Sequence, residues 1–597
     1  MATLRWSRGD LMRAAVLAVA FGGVDALSSL TTGPGSGVAG IWIPGGVGLA
    51  GLLVWGLRLW PALAVGGLAA APAYGVLGPA TVPVVVANVL AIVVAAWAIG
   101  LLHADPRLGR LTDVMRFALA SCVGAIPFGA LGVACLLVFG DGEAGSTPEV
   151  VSLWVLSTVT GFVVVGGAIT TIALRLRDAM ATRRAVEFAG LTVATAVLAW
   201  ITFTLGDGAA LIVLLLAASL LAGRGGPRGA AVASLVMLGF AAGAVMSGTG
   251  PFGGDSVGTR SLTYQTAVLV LGIGFQAIGA IGSGEPGAAP ATPTRSLAIG
   301  LLIGGGLSLG ISEAVVAPEI VKLAESVQIT LLSMTFALVV VIGVLAGTGA
   351  RGHAAALRAT TPRVRVLAVI AGLAVLGAEE TFLVSLASTP ATAAVVLSSL
   401  APVMLLLLAI VRGRLRPSVP LLLCVLVVVV GLAVMIPNGI LLGEDPSSGV
   451  WLALASSACT SVALLSLAAC RPHMSSGPVL LVAFASATAG ALALCLAEGI
   501  VPGDIVFGSQ EVMGGVLYLA VAGALIPMVV ATWAVSLLGA TRVAAFEVLA
   551  PPMAIIAALA WGEAVIGPWQ AAGMALIIVG LVLGLRSHRQ AHGIPQP

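Results

Sequence analysis

The stretch ATAAVVLSSLAPVMLLLLAIVRGRLRP (residues 391–417) decides the fold. From Ala391 to Val411 it carries no charge, and it ends in Arg412, Arg414 and Arg416. A helix needs about 20 apolar residues to cross the hydrocarbon core of a bilayer, and arginines crowded at one end mark the cytoplasmic side. Runs of this kind recur along the chain. Of its 597 residues 59% are hydrophobic and only 9% charged, where a soluble domain has about 25%. A net charge of +3 leaves no basic face able to displace counterions from a phosphate backbone, so nucleic acid is excluded as a partner. The composition predicts an all-α polytopic protein with the lipid bilayer as its solvent.

The apolar runs predict about twenty transmembrane helices: 11–30, 38–57, 60–78, 82–102, 117–139, 151–174, 188–204, 209–223, 229–248, 262–281, 296–317, 326–347, 366–387, 391–411, 419–437, 450–470, 478–497, 512–537, 541–561 and 568–586. Let each cross once, starting from a cytoplasmic N-terminus. Then 25 of the 27 Lys+Arg fall inside, with only Arg260 and Lys322 outside. Both termini are therefore expected in the cytoplasm and the protein in the cell (plasma) membrane. Arginine outnumbers lysine 26 to 1, the usage of a GC-rich bacterial genome. The six cysteines lie in or at the ends of predicted spans, so no external disulfide framework is expected.

The Gly/Pro-rich stretch GSGEPGAAPATP (282–293) divides the chain. Residues 1–281 form one predicted membrane domain, 282–295 a cytoplasmic linker, 296–589 a second ten-helix domain and 590–597 a tail. The second domain repeats itself. At an offset of 149 residues, Thr392 meets Thr541, Ala401-Pro402 meets Ala550-Pro551, Met404 meets Met553, and Gly413 meets Gly562. The repeats, 296–437 and 450–586, hold five helices each. An odd number makes the second enter the membrane from the opposite side, so the pair is expected to be inverted, a transporter architecture.

Two family resemblances follow from particular residues. LAPPMAIIAALAWGEAVIGPWQAAGMALIIVGLVLG (549–584), with LAPVMLLLLAIVRGR (400–414), resembles the EamA branch of the drug/metabolite transporter superfamily. That likeness implies ten helices in two five-helix repeats, although Gly413-Arg414 stands where members commonly have Gly-Glu. IWIPGGVGLAGLLVWGLRLWPALAVGG (41–67), with its Trp-x-Pro and Arg-x-Trp-Pro elements, resembles the opening of a MASE1 integral membrane sensor domain. A weaker echo is LWVLSTVTGFVVVGGAI (153–169).

An ionisable group at a helix centre costs about 2.5–3.5 kcal/mol on insertion scales, so each one asks for a reason. Glu379 and Glu380 lie inside the 366–387 run, Glu547 inside 541–561, and Glu313 near the outer end of 296–317. One reading is that they bind a cationic group of a substrate or shuttle a proton. The other is that they hydrogen-bond a neighbouring helix or face a vestibule. Pro402 and Pro551, with Pro552, interrupt corresponding helices of the two repeats, and such breaks sit against protein or a cavity. Ser398, Ser399, Thr532 and Trp533 stand nearby as candidate pocket wall. Trp42, Trp60 and Trp154 lie near helix ends, where interfacial anchoring is the plain reading. Asp25 falls within the first helix.

Catalytic motifs are missing from the sequence. The five histidines show no metal-ligand spacing, no GxxxxGK[ST] loop occurs, and no soluble segment is long enough for a kinase or cyclase. No enzyme activity, cofactor or metal is expected. The expected function is secondary transport: a proton- or gradient-coupled exporter of a small metabolite or drug-like compound, with the first half as sensory or accessory module. The alternative is a ligand-sensing membrane receptor or scaffold that signals through a partner protein. A homodimer is left open.

Overall fold

The computed structural model describes residues 6–28, 42–74, 78–139, 147–176, 180–205, 208–247, 257–282, 312–411, 448–500 and 510–539, with scattered single positions besides. Among these the chain is all-helical. Lipid offers no partner for a bare N–H or C=O, and a helix satisfies both within one segment. Among the described residues eleven helices are long and apolar enough to cross a membrane, and four apolar stretches of 10–17 residues are shorter. The protein is thus a multi-pass membrane protein. Of the twenty expected spans, 419–437, 541–561 and 568–586 fall almost wholly outside the described residues, as does most of 296–317. The inverted pairing of the repeats lies outside them too.

The chain divides into two compact units. The first comprises Met1–Ala291 with Ile342–Ala350 and Phe507–Gly514, the second Thr292–Val341, Arg351–Val506 and Gly515–Pro597.

In the first unit the helices are α1 (Arg8–Ser28), α2 (Ile43–Trp55), α3 (Trp60–Ala70), α4 (Thr81–Leu101), α5 (Leu111–Phe139), α6 (Thr147–Thr160), α7 (Gly167–Arg175), α8 (Thr182–Leu205), α9 (Gly208–Ser247) and α10 (Val257–Gly282). At 13 residues α2 reaches only about 20 Å, less than a bilayer core. It ends because Gly56 takes φ +104°, a backbone open to glycine, and α3 then starts with a proline in its first turn. The expected spans 38–57 and 60–78 are therefore short helices where the structure describes them. The runs 209–223 and 229–248 remain two helices within the stretch labelled α9, joined at a sharp kink where Gly226 takes the non-helical φ +61° before Pro227. A Cβ on Gly229 would strike the Leu221 carbonyl oxygen, an approach no continuous helix allows. The core gathers Leu17, Phe21, Leu49, Leu63, Ile92, Phe117 and Phe162. Small residues bring backbones close: a Cβ on Gly22 would meet the Gly66 carbonyl oxygen at 2.6 Å, and one on Gly66 the Ala18 oxygen at 2.6 Å.

The helices wholly or partly in the second unit are α11 (Ala317–Ile320), α12 (Ser326–Ala359, broken at Gly349 and with Ile342–Ala350 in the first unit), α13 (Pro362–Ser385), α14 (Ala391–Ser398), α15 (Ala401–Val411), α16 (Ser448–Cys470), α17 (Ser476–Ala497), α18 (Gln510–Tyr518, whose residues up to Gly514 fall in the first unit) and α19 (Ile526–Leu538). Helix α13 is its axle. The Cys470 thiol at the end of α16 donates to the Val364 carbonyl at the start of α13, at 3.5 Å. Gly449 at the other end of α16 lies against Ser385 and Thr389, so the two helices are antiparallel. Gly372 abuts Ala483, and Gly490 abuts Leu376, so α17 runs parallel to α13.

Candidate functional site

Helix α12 opens with SVQITLLS, which places hydroxyls at its first, fifth and eighth residues. Positions i, i+4 and i+7 share one helix face. That face meets the two carboxylates of α13. The Ser326 hydroxyl donates to Glu380 Oε1 at 2.7 Å, and the Thr330 hydroxyl donates to Glu380 Oε2 at 2.6 Å. The Ser333 hydroxyl donates to Glu379 Oε1 at 2.5 Å. These are the lengths of charge-assisted O–H···O contacts. Both glutamates are half-buried, and among the described residues neither has a Lys or Arg partner.

The donors occupy the first 10 Å or so of a 22-residue apolar span, Ser326–Gly347. The pair therefore lies toward one end of the apolar span, not at its middle. Two further carboxylates mark that end: Glu325 precedes α12 and Glu498 follows α17. Both, with Glu380, lie within electrostatic range of Cys495, whose thiol donates to the Val327 carbonyl at 3.6 Å.

Magnitudes show what the clamp does not explain. A hydrogen bond between membrane helices is worth about 0.6 kcal/mol on average, so three supply about 2 kcal/mol. Two carboxylates at a helix centre would cost about 5–7 kcal/mol on the insertion scale, less toward an end. The hydroxyls offset a fraction of that. Chemically they add something else: a hydroxyl donates to a carboxylate and accepts from a carboxylic acid, so the same three side chains serve both protonation states.

The other candidates are scattered. Glu313 sits half-buried in a π-helical turn, Ser312–Val316, which packs against α14 and against a second π-turn, Leu519–Leu525. There Ser312 and Tyr518 share a hydrogen bond. Pro402 does not kink a continuous helix. The chain breaks earlier, at Ser399–Leu400, and Pro402 lies in the first turn of α15, where a missing N–H costs nothing. The Ser461 hydroxyl of α16 reaches the Ala401 carbonyl at 3.2 Å. Ser398 and Ser399 are buried and turn back onto the Val395 carbonyl, at 3.0 and 2.8 Å. Thr532 is fully buried beside a half-buried Trp533 on α19. Pro551 is buried, while Glu547 and Pro552 lie outside the described residues.

In the first unit Trp42 is no interfacial anchor. It is 7% exposed, its indole N–H points at Asp25 Oδ1 at 3.4 Å, and its ring packs on Phe21 and Phe162. Trp60, 47% exposed, keeps an anchor's exposure. Trp42 opens α2, whose Gly46 lies against a π-helical turn, Gly161–Gly166, buried throughout. Gln276 of α10 donates to the Val163 carbonyl in that turn at 2.8 Å. Arg58, of the Arg-x-Trp-Pro element, pairs with Asp10 at 2.6 Å and ties α1 to the turn before α3.

The MASE1 family model matches residues 11–283. No curated protein matches the chain. Among solved structures, one crystal structure of a protein aligns with 50% of this chain and 100% of its own length, at 19% identity and a TM-score of 0.40; a likeness that loose carries no argument. The chain is an integral, multi-pass, all-helical membrane protein with a MASE1 domain at residues 11–283.

Proposed function

We propose that the second half of this protein is a secondary transporter, a proton- or gradient-coupled exporter of a small metabolite or drug-like compound. It works by alternating access between two inverted five-helix repeats within a twenty-span chain. The MASE1 domain serves it as a sensory or accessory module. Both termini face the cytoplasm of a bacterial cell. The observation that carries this reading is the Glu379–Glu380 pair, two carboxylates within a membrane span, held by hydroxyls and without a basic partner among the described residues. Intramembrane acids of this kind mark substrate and proton pathways. The broken helix at Ser399–Leu400 and the EamA-like sequence of 400–414 and 549–584 agree with it.

The full chain reconstituted in proteoliposomes tests the proposal. A panel of amino acids and drug-like cations is added under an imposed pH gradient, and internal pH is followed with a trapped dye. At least one solute is expected to dissipate the gradient faster than in protein-free vesicles. Equal decay across the panel would contradict the proposal.

The MASE1 match favours a second reading, a ligand-sensing receptor that signals through a partner protein, with the second half as scaffold. Under that reading a partner co-purifies with the chain and no solute moves.

A further inference from the structure

The turn after α7, the start of α8 and the kink of α9 enclose a cleft of about 590 Å³ in the first unit. Its charged lining is Arg175, Arg184, Arg224 and Arg228 against Asp178 and Glu187, an excess of two positive charges. The acids are already engaged. Glu187 pairs with Arg224 at 3.0 Å, and the Asp178 carboxylate lies 4.0 Å from Arg175 and 3.8 Å from Arg228. Arg228, largely buried, donates to the carbonyls of Arg175 and Asp178 and so fixes the shape of the turn. Arg175 in turn donates through Nε to the Arg107 carbonyl at 3.2 Å. Arg184 is exposed on the cleft wall and has no hydrogen bond or ion pair among the described residues. The kink itself, Gly226-Pro227, is what opens the space beside the arginines.

We infer that this arginine-lined cleft binds a phosphate-bearing anion, carried either on an anionic lipid headgroup or on a soluble phosphate compound. The volume lies within the range of ordinary ligand sites. Guanidinium groups match phosphate oxygens two at a time, and a pre-shaped turn spares the cost of ordering them. Basic pockets between membrane helices on the arginine-rich side are suited to anionic headgroups. The local excess of positive charge lies beside a cavity and not over a flat face.

Two arms separate the sources. In the first, detergent-solubilised full chain is mixed with cardiolipin or with phosphatidylcholine and examined by native mass spectrometry. In the second, the lipid-depleted chain is titrated with inorganic pyrophosphate and its melting followed. Wild type is expected to bind cardiolipin or pyrophosphate at least about 10-fold more tightly than Arg184→Gln, a loss of one strong charge-assisted contact. Arg184→Lys is expected to recover part of the binding, and Arg183→Gln, whose side chain is outside the cleft lining, to bind as wild type. Cardiolipin retention in the first arm assigns the headgroup, and a pyrophosphate response in the second assigns a soluble phosphate. Arg184 is exposed and unpaired, so the variant should elute and melt as wild type without ligand. Binding in neither arm, or equal binding by wild type and Arg184→Gln, would overturn the inference.

Discussion

Glu380→Gln is expected to reduce gradient-driven flux about 100-fold or more, the usual worth of a positioned proton-transfer group, while expression and melting stay near wild type. The amide keeps the shape of the side chain and still accepts from one of Ser326 and Thr330, which now donate to the two carboxylate oxygens at 2.7 and 2.6 Å. It can neither carry charge nor exchange a proton. Glu379→Gln is expected to act the same way through its contact with Ser333. Removing the donors does less. Ser326→Ala or Thr330→Ala deletes one interhelical bond of about 0.6 kcal/mol, a change of two- to threefold. Flux assays on the four variants check this order. Unchanged flux in both glutamine variants removes the pair from the mechanism.

Gly46→Ala is expected to destabilise the MASE1 domain by about 1–3 kcal/mol, the usual cost of overpacking. A Cβ there would meet the Gly161 carbonyl, the Val165 side chain and the Gly166 nitrogen, all parts of a buried turn with nowhere to move. Gly23→Ala is the matched control. A Cβ at Gly23 meets nothing within 4 Å, so the same substitution should be neutral or slightly stabilising. At about 2–4 °C per kcal/mol, the two variants should melt several degrees apart. Equal melting temperatures would show that α2 and the π-turn are not in backbone contact.

The positions of helices were legible in the sequence wherever an apolar run had a clear end. The run 366–387 became Pro362–Ser385, and 478–497 became Ser476–Ala497. What hydropathy does not encode is which faces meet. Glu379 and Glu380 stood out as charges in an apolar run. Their partners Ser326, Thr330 and Ser333 did not, although the spacing S-x3-T-x2-S already put three hydroxyls on one face. The π-turn at Gly161–Gly166 was invisible, because GFVVVG reads equally well as α-helix. Its contacts come from far along the chain, Gly46 on one side and Gln276 on the other. Trp42 misled for the same reason. A tryptophan at a helix end is ordinarily an anchor, and only the folded core shows Asp25, Phe21 and Phe162 around it.

The sidedness of two turns tests the transporter architecture most directly. Replace the native cysteines, introduce Arg414→Cys or Glu563→Cys, and add a membrane-impermeant maleimide to intact cells. Two inverted repeats predict that the cysteine at 563 reacts from outside and the one at 414 only after the membrane is opened. Reaction of both from the same side would contradict inversion and the alternating-access mechanism that depends on it.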